Sequence, residues 1–528
     1  MQHALTAPHP APQRPAVEPL LTAAEAYPAL ERAFLTTEDE ISAGFRVFDL
    51  RTGLRSPGAR AIGDTWFDLI VHTLRRGVAI RMVLSDFDPL ARPRLHRATW
   101  RTARMFWAAA ELAGPGARLH LVPSMHSAVV GFWPRLMFWP VVQSRLLRLS
   151  GWLRRLAGSQ RMAALRDMPG VGRVLAAKDC LPRPRLFALP PLFPATHHQK
   201  LAVFDRRRVY IGGLDLDERF CDTPDHDRPA HETWHDVQLM LEGPVAQDAH
   251  AHLAGFLGII AGQAEPSPPA PDRDGLRFVR TLSRRRGRGA WRFISPQPAV
   301  TEIESAHHDA IARARQLIYV ETQYFRDRRL ARRLAEQERI RPDLHMILIL
   351  PAAPDDVAFE GSTAPDARLG EFLQARCLRI LRRGFGRRLF VGGAAQPRRS
   401  RDGGRAQLKG APLVYIHAKV SIFDGECAIV SSANLNGRSL RWDTEAGVVM
   451  TRPDEVAALR RRLMAHWLPE DVSEDYFNPA RALHAWGALA ARNARLAPDR
   501  RDGFLLPYDL KSAEDFGKAF PLLPDEMV

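Results

Sequence analysis

The sequence predicts an α/β fold made of two similar lobes. An eight-residue pattern, H-x-K-x-x-x-x-D, occurs twice in the chain of 528 residues. Each copy is preceded by two short apolar runs of strand length, at 45–49 and 78–84 and again at 317–321 and 345–350. Helical stretches separate these runs, as in α/β proteins. A long-period internal duplication accounts for both repeats.

The two copies of the pattern agree in residue type and spacing. Only six of the 75 basic residues are lysines, yet each copy contains one. Chance alone gives on the order of 0.01 such matches per chain. An ammonium is a compact point charge and a guanidinium is a planar fork, so they are not interchangeable beside a phosphate. The pattern residues are His198, Lys200 and Asp205 in the first copy and His417, Lys419 and Asp424 in the second.

The segments after each copy also correspond. The sequence GGLD at 212–215 follows the first copy at the same interval as SSAN at 431–434 follows the second. Further along, WHDV at 234–237 corresponds to DTEA at 443–446. The duplication therefore extends well beyond the pattern itself.

Two histidines and two lysines can cleave a phosphodiester. One imidazole supplies a neutral nucleophile, and the other donates a proton to the leaving oxygen. The ammonium groups hold the nonbridging oxygens and offset the developing charge. The duplicated pattern therefore predicts one phosphodiester-cleaving site built from both copies, with no metal and no other cofactor.

The chain resembles the phospholipase D superfamily in its two-motif, bacterial form. Besides the duplicated motif, the resemblance rests on IYVETQYF at 318–325, GGLDL at 212–216 and WHD at 234–236. It extends over about residues 40–470. It implies two phospholipase D-like lobes related by a pseudo-twofold axis. Each lobe is then a mixed β-sheet flanked by helices, and the two motifs meet at the interface.

The resemblance also implies a role for each site residue. His198 is the nucleophile that forms a phosphohistidine, and His417 acts first as acid and then as base. Asp236 and Glu445, in equivalent places downstream of the two motifs, orient the histidines, and Asp443 competes with Glu445 for that role. The residues implied to bind the substrate phosphate are Lys200, Lys419, Asn434 and Asp215.

Three further positions near the motifs need their own interpretation. Asp205 and Asp424 belong to the catalytic motifs, but an added negative charge opposes phosphate binding, which favours a structural role at strand ends and the lobe interface. Ser431 stands where the family pattern has glycine, so its hydroxyl either crowds the backbone or adds a donor.

Composition narrows the class of partner without fixing it. The net charge is +16 and the pI is about 10.4. Such a charge attracts nucleic acid, acidic lipid or phosphorylated substrates, although an arginine-rich genome explains it equally well. The four cysteines have no C-x-x-C spacing, so they predict neither a metal site nor a disulfide framework.

The predicted order of segments follows from composition and from the repeat. It is an N-terminal arm (1–40), a first lobe (41–261), a proline-rich and basic linker (262–300), a second lobe (301–470) and a C-terminal extension (471–528). The first lobe is longer than the second between its first strand and its motif, which places a helical insertion at about 126–180. The insertion combines aromatic residues and arginines. It predicts either an ordinary cap packed on its own lobe or a surface that contacts an anionic bilayer.

The sequence leaves the location of the protein open. Residues 1–28 lack the basic start and apolar core of a secretory signal, and no apolar run is long enough for a transmembrane helix. The resemblance implies export by another route, and a cytoplasmic or peripheral membrane location is the alternative. We expect a monomer.

The function predicted from the sequence is that of a phospholipase D. The expected reaction is metal-independent hydrolysis of a glycerophospholipid to phosphatidic acid and a head-group alcohol, with transfer to other alcohols as a variant. The expected partner is a phospholipid at a membrane surface rather than nucleic acid. The alternatives are a cardiolipin synthase-like phosphatidyltransferase, a nuclease-type phosphodiesterase and a binding module without catalysis; the intact motifs oppose the last.

Overall fold

The computed structural model describes residues 17–178, 181–185, 187–287, 289–401, 403–521 and 523–528. The first part of the predicted N-terminal arm, residues 1–16, lies outside these ranges, as do Cys180 and Arg288.

The secondary structure of the described residues is an alternation of strands and helices. The strands are β1 (Val17–Leu21), β2 (Glu40–Phe45), β3 (Ala79–Ser85), β4 (Leu119–Ser124), β5 (Leu175–Lys178), β6 (Leu181–Pro184), β7 (Leu201–Phe204), β8 (Arg208–Gly212), β9 (Val237–Glu242), β10 (Leu276–Arg284), β11 (Gln297–Thr301), β12 (Leu317–Thr322), β13 (His345–Ile349), β14 (Leu389–Ala394), β15 (Gln407–Leu408), β16 (Ala411–Pro412), β17 (Lys419–Phe423), β18 (Cys427–Ser431), β19 (Glu445–Met450) and β20 (Leu505–Pro507). The helices are α1 (Thr22–Thr36), α2 (Pro57–Arg60), α3 (Trp66–Arg75), α4 (Pro93–Ala113), α5 (Phe132–Met137), α6 (Trp139–Arg155), α7 (Gly158–Arg166), α8 (Val245–Ala261), α9 (Glu302–Arg313), α10 (Arg328–Ile340), α11 (Asp355–Ala358), α12 (Pro365–Phe385), α13 (Gly437–Arg441), α14 (Pro453–Trp467), α15 (Ala482–Arg495) and α16 (Leu510–Phe516).

Two large mixed sheets organise these elements. The first has the strand order β1-β9-β8-β7-β2-β3-β4, and the second has the order β11-β10-β19-β18-β17-β12-β13-β14-β20. In the first sheet β2, β3 and β4 are parallel and the other pairs are antiparallel. In the second, β12, β13 and β14 are parallel in the same way. Seven consecutive strands thus repeat in order and direction, which confirms the predicted α/β fold of two similar lobes.

The lobes share one core and carry helices on their outer faces. Strands β8 and β9 of the first sheet contact β18 and β19 of the second, and helices α14 and α15 pack against the same apolar cluster. The outer core of the first lobe contains residues of α1, α3 and α4. That of the second contains residues of α9, α10 and α12. Most strands are therefore buried on both faces, which explains why they are continuous apolar runs rather than alternating ones.

The local sequence accounts for where these helices begin and which face they bury. The side chain of Asp327 accepts the backbone N–H of Leu330 at 2.7 Å and so caps the start of α10. Leu330 and Leu334 recur at helical spacing and are buried, while arginines occupy the other faces. None of the helices in the described ranges is both long and apolar enough to cross a bilayer.

The sheets extend past the segment limits inferred from the sequence. Residues 17–36 of the predicted arm form β1, an edge strand paired with β9, and α1, which packs in the outer core. Strands β10 and β11 of the predicted linker belong to the second sheet, and β20 of the predicted extension pairs with β14. The repeat alone could not locate these outer strands because they lie outside the regions of similar sequence.

The insertion is mostly helical and has a small core of its own. Helices α5, α6 and α7 and the β5–β6 hairpin form between β4 and β7. The leucines that recur at helical spacing on α6, Leu146, Leu149 and Leu153, are buried in this core. Their apolar stripe therefore packs within the insertion, as in the ordinary-cap alternative.

Candidate active site

The first motif is held against the second lobe by backbone hydrogen bonds. The His198 N–H donates to the Thr444 carbonyl at 2.8 Å, and the Thr444 N–H donates to the Thr196 carbonyl at 2.9 Å. The segment that contains His198 lies just before β7 in the chain. It thus pairs with the segment that leads into β19 of the other lobe.

The second motif is held against the first lobe in the same way. The His235 N–H donates to the Tyr415 carbonyl at 2.8 Å, and the His417 N–H donates to the His235 carbonyl at 2.7 Å. We call these four segments, 196–198, 234–236, 415–417 and 443–445, the seam. Their symmetric pairing brings both motifs to one place, as predicted for the lobe interface.

Each histidine of the motifs is oriented by a carboxylate from the opposite lobe. His417 Nδ1 lies 2.5 Å from Asp236 Oδ2, and His198 Nδ1 lies 3.0 Å and 3.1 Å from Oε1 and Oε2 of Glu445. Because Nδ1 is engaged in both rings, Nε2 remains as the reacting nitrogen of each. The two predicted acids thus contact the two histidines, but the pairing is crossed between the lobes.

The two lysines lie beside their own histidines and are buried. Lys200 Nζ donates to the His198 carbonyl at 2.5 Å and lies 3.6 Å from Asp215 Oδ2. Lys419 Nζ donates to the His417 carbonyl and lies 2.8 Å from His417 Nδ1. Both ammonium groups therefore face the same small region as the imidazoles.

Burial and nearby positive charges favour the neutral form of both imidazoles in the protein without substrate. Burial holds the pKa of His198 well below its usual value, and Lys200 lowers it further. Burial also holds the pKa of His417 well below its usual value, and Lys419, Lys200 and His198 lower it further, in that order of effect. The charges of one motif therefore act on the histidine of the other. A neutral imidazole keeps the lone pair that a nucleophile needs.

Burial also moves the pKa values of the carboxyls and of one lysine toward neutrality. It raises the pKa of Asp236 to about 7 and that of Glu445 to about 8, against the lowering effects of Lys419 and Lys200, respectively. It lowers the pKa of Lys419 to about 7, although Asp236 favours the charged form. An arriving phosphate anion offsets the cost of burying these positive charges, since it stabilises an ammonium and an imidazolium beside it.

The two other residues predicted to bind phosphate differ in their surroundings. Asn434 is buried, and its Oδ1 has no hydrogen-bond partner among the described residues. Asp215 accepts the Val47 N–H at 2.9 Å and lies close to Lys200 and, at 3.7 Å, to Arg46. An ionised carboxylate repels a phosphate oxygen, so the contacts of Asp215 favour a role in holding these two cations.

The aspartates of the two motifs lie away from the seam. Asp205 accepts the N–H groups of residues 38, 39 and 40 at 2.9–3.0 Å, and Asp424 accepts those of residues 315, 316 and 317 at 2.8–2.9 Å. Asp205 follows the far end of β7, roughly 20 Å of extended chain from His198. Both aspartates therefore brace the starts of β2 and β12. The expected contact with the lobe interface is wrong, because all these partners lie in the same lobe.

The histidine next to His198 and the acid that competes with Glu445 have different contacts. His197 is buried and faces Thr444 Oγ1 and Ser124 Oγ at 3.0 Å and 3.3 Å, on the other side of the strand from His198. Asp443 accepts the Thr196 N–H at 2.7 Å and pairs with Arg438. Glu445 rather than Asp443 contacts His198.

The serine that replaces the usual glycine is accommodated by its neighbour across the sheet. Ser431 pairs with Gly447, where an added Cβ would lie 2.5 Å from Ser431 Cβ. In the first lobe the glycine is Gly212 and its partner is the larger Gln238. In the second lobe the glycine of this cross-strand pair therefore stands on the partner strand instead. Ser431 Oγ accepts the Ala433 N–H at 3.2 Å.

Three side chains at the site were not singled out by the sequence. Arg46 contributes a further positive charge near both histidines. The ring of Trp234 lies 4.6 Å from that of His417, and Ser432 Oγ donates to Glu445 Oε2 at 2.5 Å. Trp234 and Ser432 belong to the repeated segments, and this repetition could have marked them as residues of the site. Nothing marks Arg46 among the many arginines.

Comparison with known proteins gives one family model and several distant relatives. Residues 308–467 match the family described as "Cardiolipin synthase, PLD-like domain". The chain is 25% identical over 370 residues to "Phospholipase D alpha 1" of Oryza sativa subsp. japonica, which covers 48% of this chain and 45% of that protein. It is 23% identical over 284 residues to "Probable cardiolipin synthase YwiE" of Bacillus subtilis, covering 53% and 46%, respectively. The chain thus spans about half the length of the curated relatives it matches.

Among solved structures, the phosphatidylserine synthase of Haemophilus influenzae Rd KW20 has a similar fold. The TM-score is 0.50 at 12% sequence identity, and the alignment covers 90% of this chain and 93% of that one. At this identity the likeness concerns the fold alone.

Proposed function

Because this chain belongs to the phospholipase D superfamily, we propose that it hydrolyses the distal phosphodiester bond of glycerophospholipids to phosphatidic acid and a head-group alcohol. The observation that carries the proposal is the seam. There two imidazole and ammonium pairs, each with a carboxylate from the opposite lobe, surround one region. This arrangement supplies every group that a two-step displacement at phosphorus needs.

In the first step His198 Nε2 attacks the phosphorus and forms a phosphorus–nitrogen bond. The bond from phosphorus to the head-group oxygen breaks, and His417 donates its proton to that oxygen. Lys200, Lys419 and Asn434 hold the nonbridging oxygens. Glu445 stabilises the charge that develops on the ring of His198, because it lies at Nδ1.

In the second step a water molecule releases the phosphatidyl group. His417, now neutral, takes a proton from the water as its oxygen attacks phosphorus, and the bond to His198 breaks. Asp236 at 2.5 Å holds the ring of His417 in one orientation during both steps. An alcohol in place of water gives transfer by the same chemistry.

An exposed apolar surface on the insertion favours a lipid over a nucleic acid. Four large apolar residues of the insertion are about half exposed, and the 3₁₀ turn Ala290–Arg292 packs beside them. The arginines of that region lie against aromatic rings, Arg292 over Trp291 and Arg286 over Phe293. We call this surface the aromatic patch; it consists of Phe132, Trp133, Leu136, Met137, Trp291 and Phe293.

The aromatic patch is suited to the interface of an anionic bilayer. Aromatic rings and aliphatic side chains enter the boundary between head groups and acyl chains, and arginines bind the phosphates. The insertion also contacts the segment that carries the first motif, since the ring of His126 lies 5.5 Å from that of His197, on the side of the strand away from His198. We propose that a membrane on which the patch rests presents its phospholipids to the seam.

Phosphatidyl transfer to an alcohol is the second candidate. It is favoured by the match of residues 308–467 to a domain described for cardiolipin synthase. The two candidates share every step up to the phosphohistidine and differ only in the acceptor that enters next. The acceptor is thus the variable to test.

The test offers three substrates to the same protein in the presence of EDTA. Phosphatidylcholine vesicles report choline release, phosphatidylglycerol vesicles report cardiolipin formation, and plasmid DNA reports nuclease activity. We expect choline release with intact DNA. Cardiolipin as the main product selects transfer, and DNA cleavage without choline release overturns the lipid proposal.

A matched pair of variants separates true turnover from contamination. His198→Ala removes the proposed nucleophile, whereas His120→Ala changes an exposed histidine of the same lobe. We expect the first to abolish choline release and the second to leave it unchanged. Equal activity in both variants would exclude His198 from the reaction.

A further inference from the structure

Three histidines that take no part in the proposed reaction converge behind the seam. His226 and His235 belong to the first lobe, and His466 lies near the end of α14 in the second. One ring nitrogen of each lies within 4.8 Å of the other two, and the Nε2 atoms of His226 and His466 are 2.9 Å apart. We call them the three-histidine cluster.

The tautomer of His226 is fixed by a buried carboxylate. Its Nδ1 lies 2.6 Å from Oδ2 of Asp222, which is fully buried and also accepts the Trp234 N–H at 2.6 Å. A carboxylate in these contacts only accepts hydrogen bonds, so His226 donates from Nδ1. Its Nε2 therefore carries a lone pair that points to the centre of the cluster.

The orientation of His235 is fixed in the same manner from the other lobe. Its Nε2 lies 2.8 Å from Oε2 of Glu321, whose Oε1 accepts the hydroxyl of Tyr319 at 2.5 Å and the indole N–H of Trp467 at 2.8 Å. The Nδ1 of His235 is buried and has no hydrogen-bond partner among the described residues. A second lone pair thus faces the cluster without a donor.

His466 Nε2 can donate one hydrogen bond, to His226 Nε2 at 2.9 Å, so the lone pair of His235 Nδ1 stays buried without a donor, which is unfavourable unless a cation joins the three nitrogens. We propose that the three-histidine cluster binds one Zn²⁺ ion through His226 Nε2, His235 Nδ1 and His466 Nε2, with water at the fourth position. Three imidazoles, two of them hydrogen-bonded to carboxylates, are a usual ligand set for this ion. His466 is only partly buried, which leaves a way in for the ion.

The spacing of the nitrogens suits a tetrahedral ion. With zinc–nitrogen distances of about 2.0–2.1 Å, ligand nitrogens lie about 3.4 Å apart. The observed separations, 2.9 Å for one pair and no more than 4.8 Å for any, bracket that value. Small side-chain rotations are therefore sufficient to complete the site.

The ion would join the lobes without taking part in the reaction. Both backbone polar groups of His235 bond to the second motif, and the next residue is Asp236, which orients His417. Zinc would hold this segment against α14 of the other lobe. The proposal is independent of the proposed reaction, which uses no metal.

The test measures zinc in protein purified without a polyhistidine tag and dialysed against metal-free buffer. We expect one zinc per chain in the wild type and in His484→Gln, which changes an exposed histidine on α15. His466→Gln removes the ligand that is only partly buried and should lower zinc affinity more than about 100-fold. Circular dichroism verifies that this variant is folded.

Two further measurements keep the proposal open to refutation. Protein loaded with Co²⁺ should show the intense visible absorption of a four-coordinate ion. Glu321→Gln, which leaves all three ligands in place, should weaken zinc binding about 10- to 100-fold. A wild type that holds no stoichiometric zinc after exposure to it overturns the proposal, as does unchanged affinity in His466→Gln. Loss of phospholipid hydrolysis with full zinc content would count against the reaction alone.

Discussion

At the scale of single residues, the crossed carboxylates determine which step each acid serves. Asp236 belongs to the first lobe but contacts His417, and Glu445 belongs to the second but contacts His198. Sequence order alone associates each acid with the motif that precedes it. The crossing arises because the seam pairs each motif with the acid-bearing segment of the other lobe.

The crossing predicts different responses of two variants to the leaving group. Asp236→Asn impairs His417, the proposed acid, so its loss of about 10²- to 10⁴-fold in the single-turnover rate should largely disappear with a p-nitrophenyl ester, which needs no proton. Glu445→Gln impairs the nucleophile His198, and its loss should remain with both substrates. The measurement compares the single-turnover rates of choline and p-nitrophenol release in the two variants, because the later release of the phosphatidyl group depends on His417 with either substrate.

A third variant provides the control, and one outcome reverses the assignment. Asp443→Asn alters the acid that does not contact His198 and should retain more activity than Glu445→Gln on both substrates. If the activated ester instead rescues Glu445→Gln and not Asp236→Asn, His417 is the nucleophile and His198 the acid.

The lowered pKa of Lys419 predicts a pH dependence of anion binding. Burial brings that pKa to about 7 in the free protein, and a bound anion raises it. Binding is therefore strongest below pH 7 and weakens as the pH rises, by up to about tenfold per pH unit. Calorimetry with sulfate between about pH 6 and pH 9 measures this slope, because sulfate keeps its charge throughout. Lys419→Gln should reduce the slope, and an unchanged slope would contradict the account.

At the scale of elements, the motif aspartates act on strand ends rather than on the reaction. Asp205 and Asp424 adopt φ angles of 49° and 56° and each accept three backbone N–H groups. The sequence placed them with the catalytic residues because the motif contains them. Their equivalent contacts in both lobes explain their repetition without a catalytic role.

Removing one of these aspartates should reduce stability and spare catalysis. Asp205→Ala leaves three N–H groups without their acceptor, at a cost of about 2 kcal/mol in the free energy of unfolding. We expect a lower Tm and a wild-type kcat at low temperature, with the exposed Asp343→Ala as control. A large loss of kcat in a variant with an unchanged Tm would restore Asp205 to the reaction.

The aromatic patch predicts a defect confined to membranes. Trp133→Ser should lower the rate on phosphatidylcholine vesicles and weaken vesicle binding, because an exposed ring no longer enters the interface. The rate on a short-chain, monomeric phosphatidylcholine should not change. Ile340→Ser, which alters an equally exposed apolar residue on α10 of the other lobe, is the matched control. Equal losses on vesicular and monomeric substrate would contradict a docking role.

At the scale of the whole molecule, the duplication was the part of the structure that the sequence could predict. The runs predicted at 78–84, 317–321 and 345–350 became β3, β12 and β13, because short apolar runs between helices are a strong strand signal. The strand predicted at 45–49 was wrong, because β2 spans Glu40–Phe45 and shares only Phe45 with that run. The meeting of the two motifs in one site could also be predicted from the sequence. Each copy has a single motif histidine, and the reaction needs one histidine as nucleophile and another as acid.

Long-range contacts without a local pattern could not be predicted. The outer strands β1, β10, β11 and β20 carry no repeated sequence, and Arg46 is one arginine among many. The three-histidine cluster joins positions 226, 235 and 466, which no ligand spacing in the sequence connects. Each of these depends on how the lobes pack together, which a single sequence does not report.

A covalent intermediate on His198 tests the central claim most directly. His417→Ala, given an activated phosphatidyl ester and quenched rapidly, can form the phosphohistidine but lacks the base that releases it. Mass spectrometry of the digested protein should then find the phosphatidyl group on the peptide that contains His198, and none in His198→Ala. An adduct on another residue, or none while product still forms, would contradict a site in which both motifs act on one phosphorus.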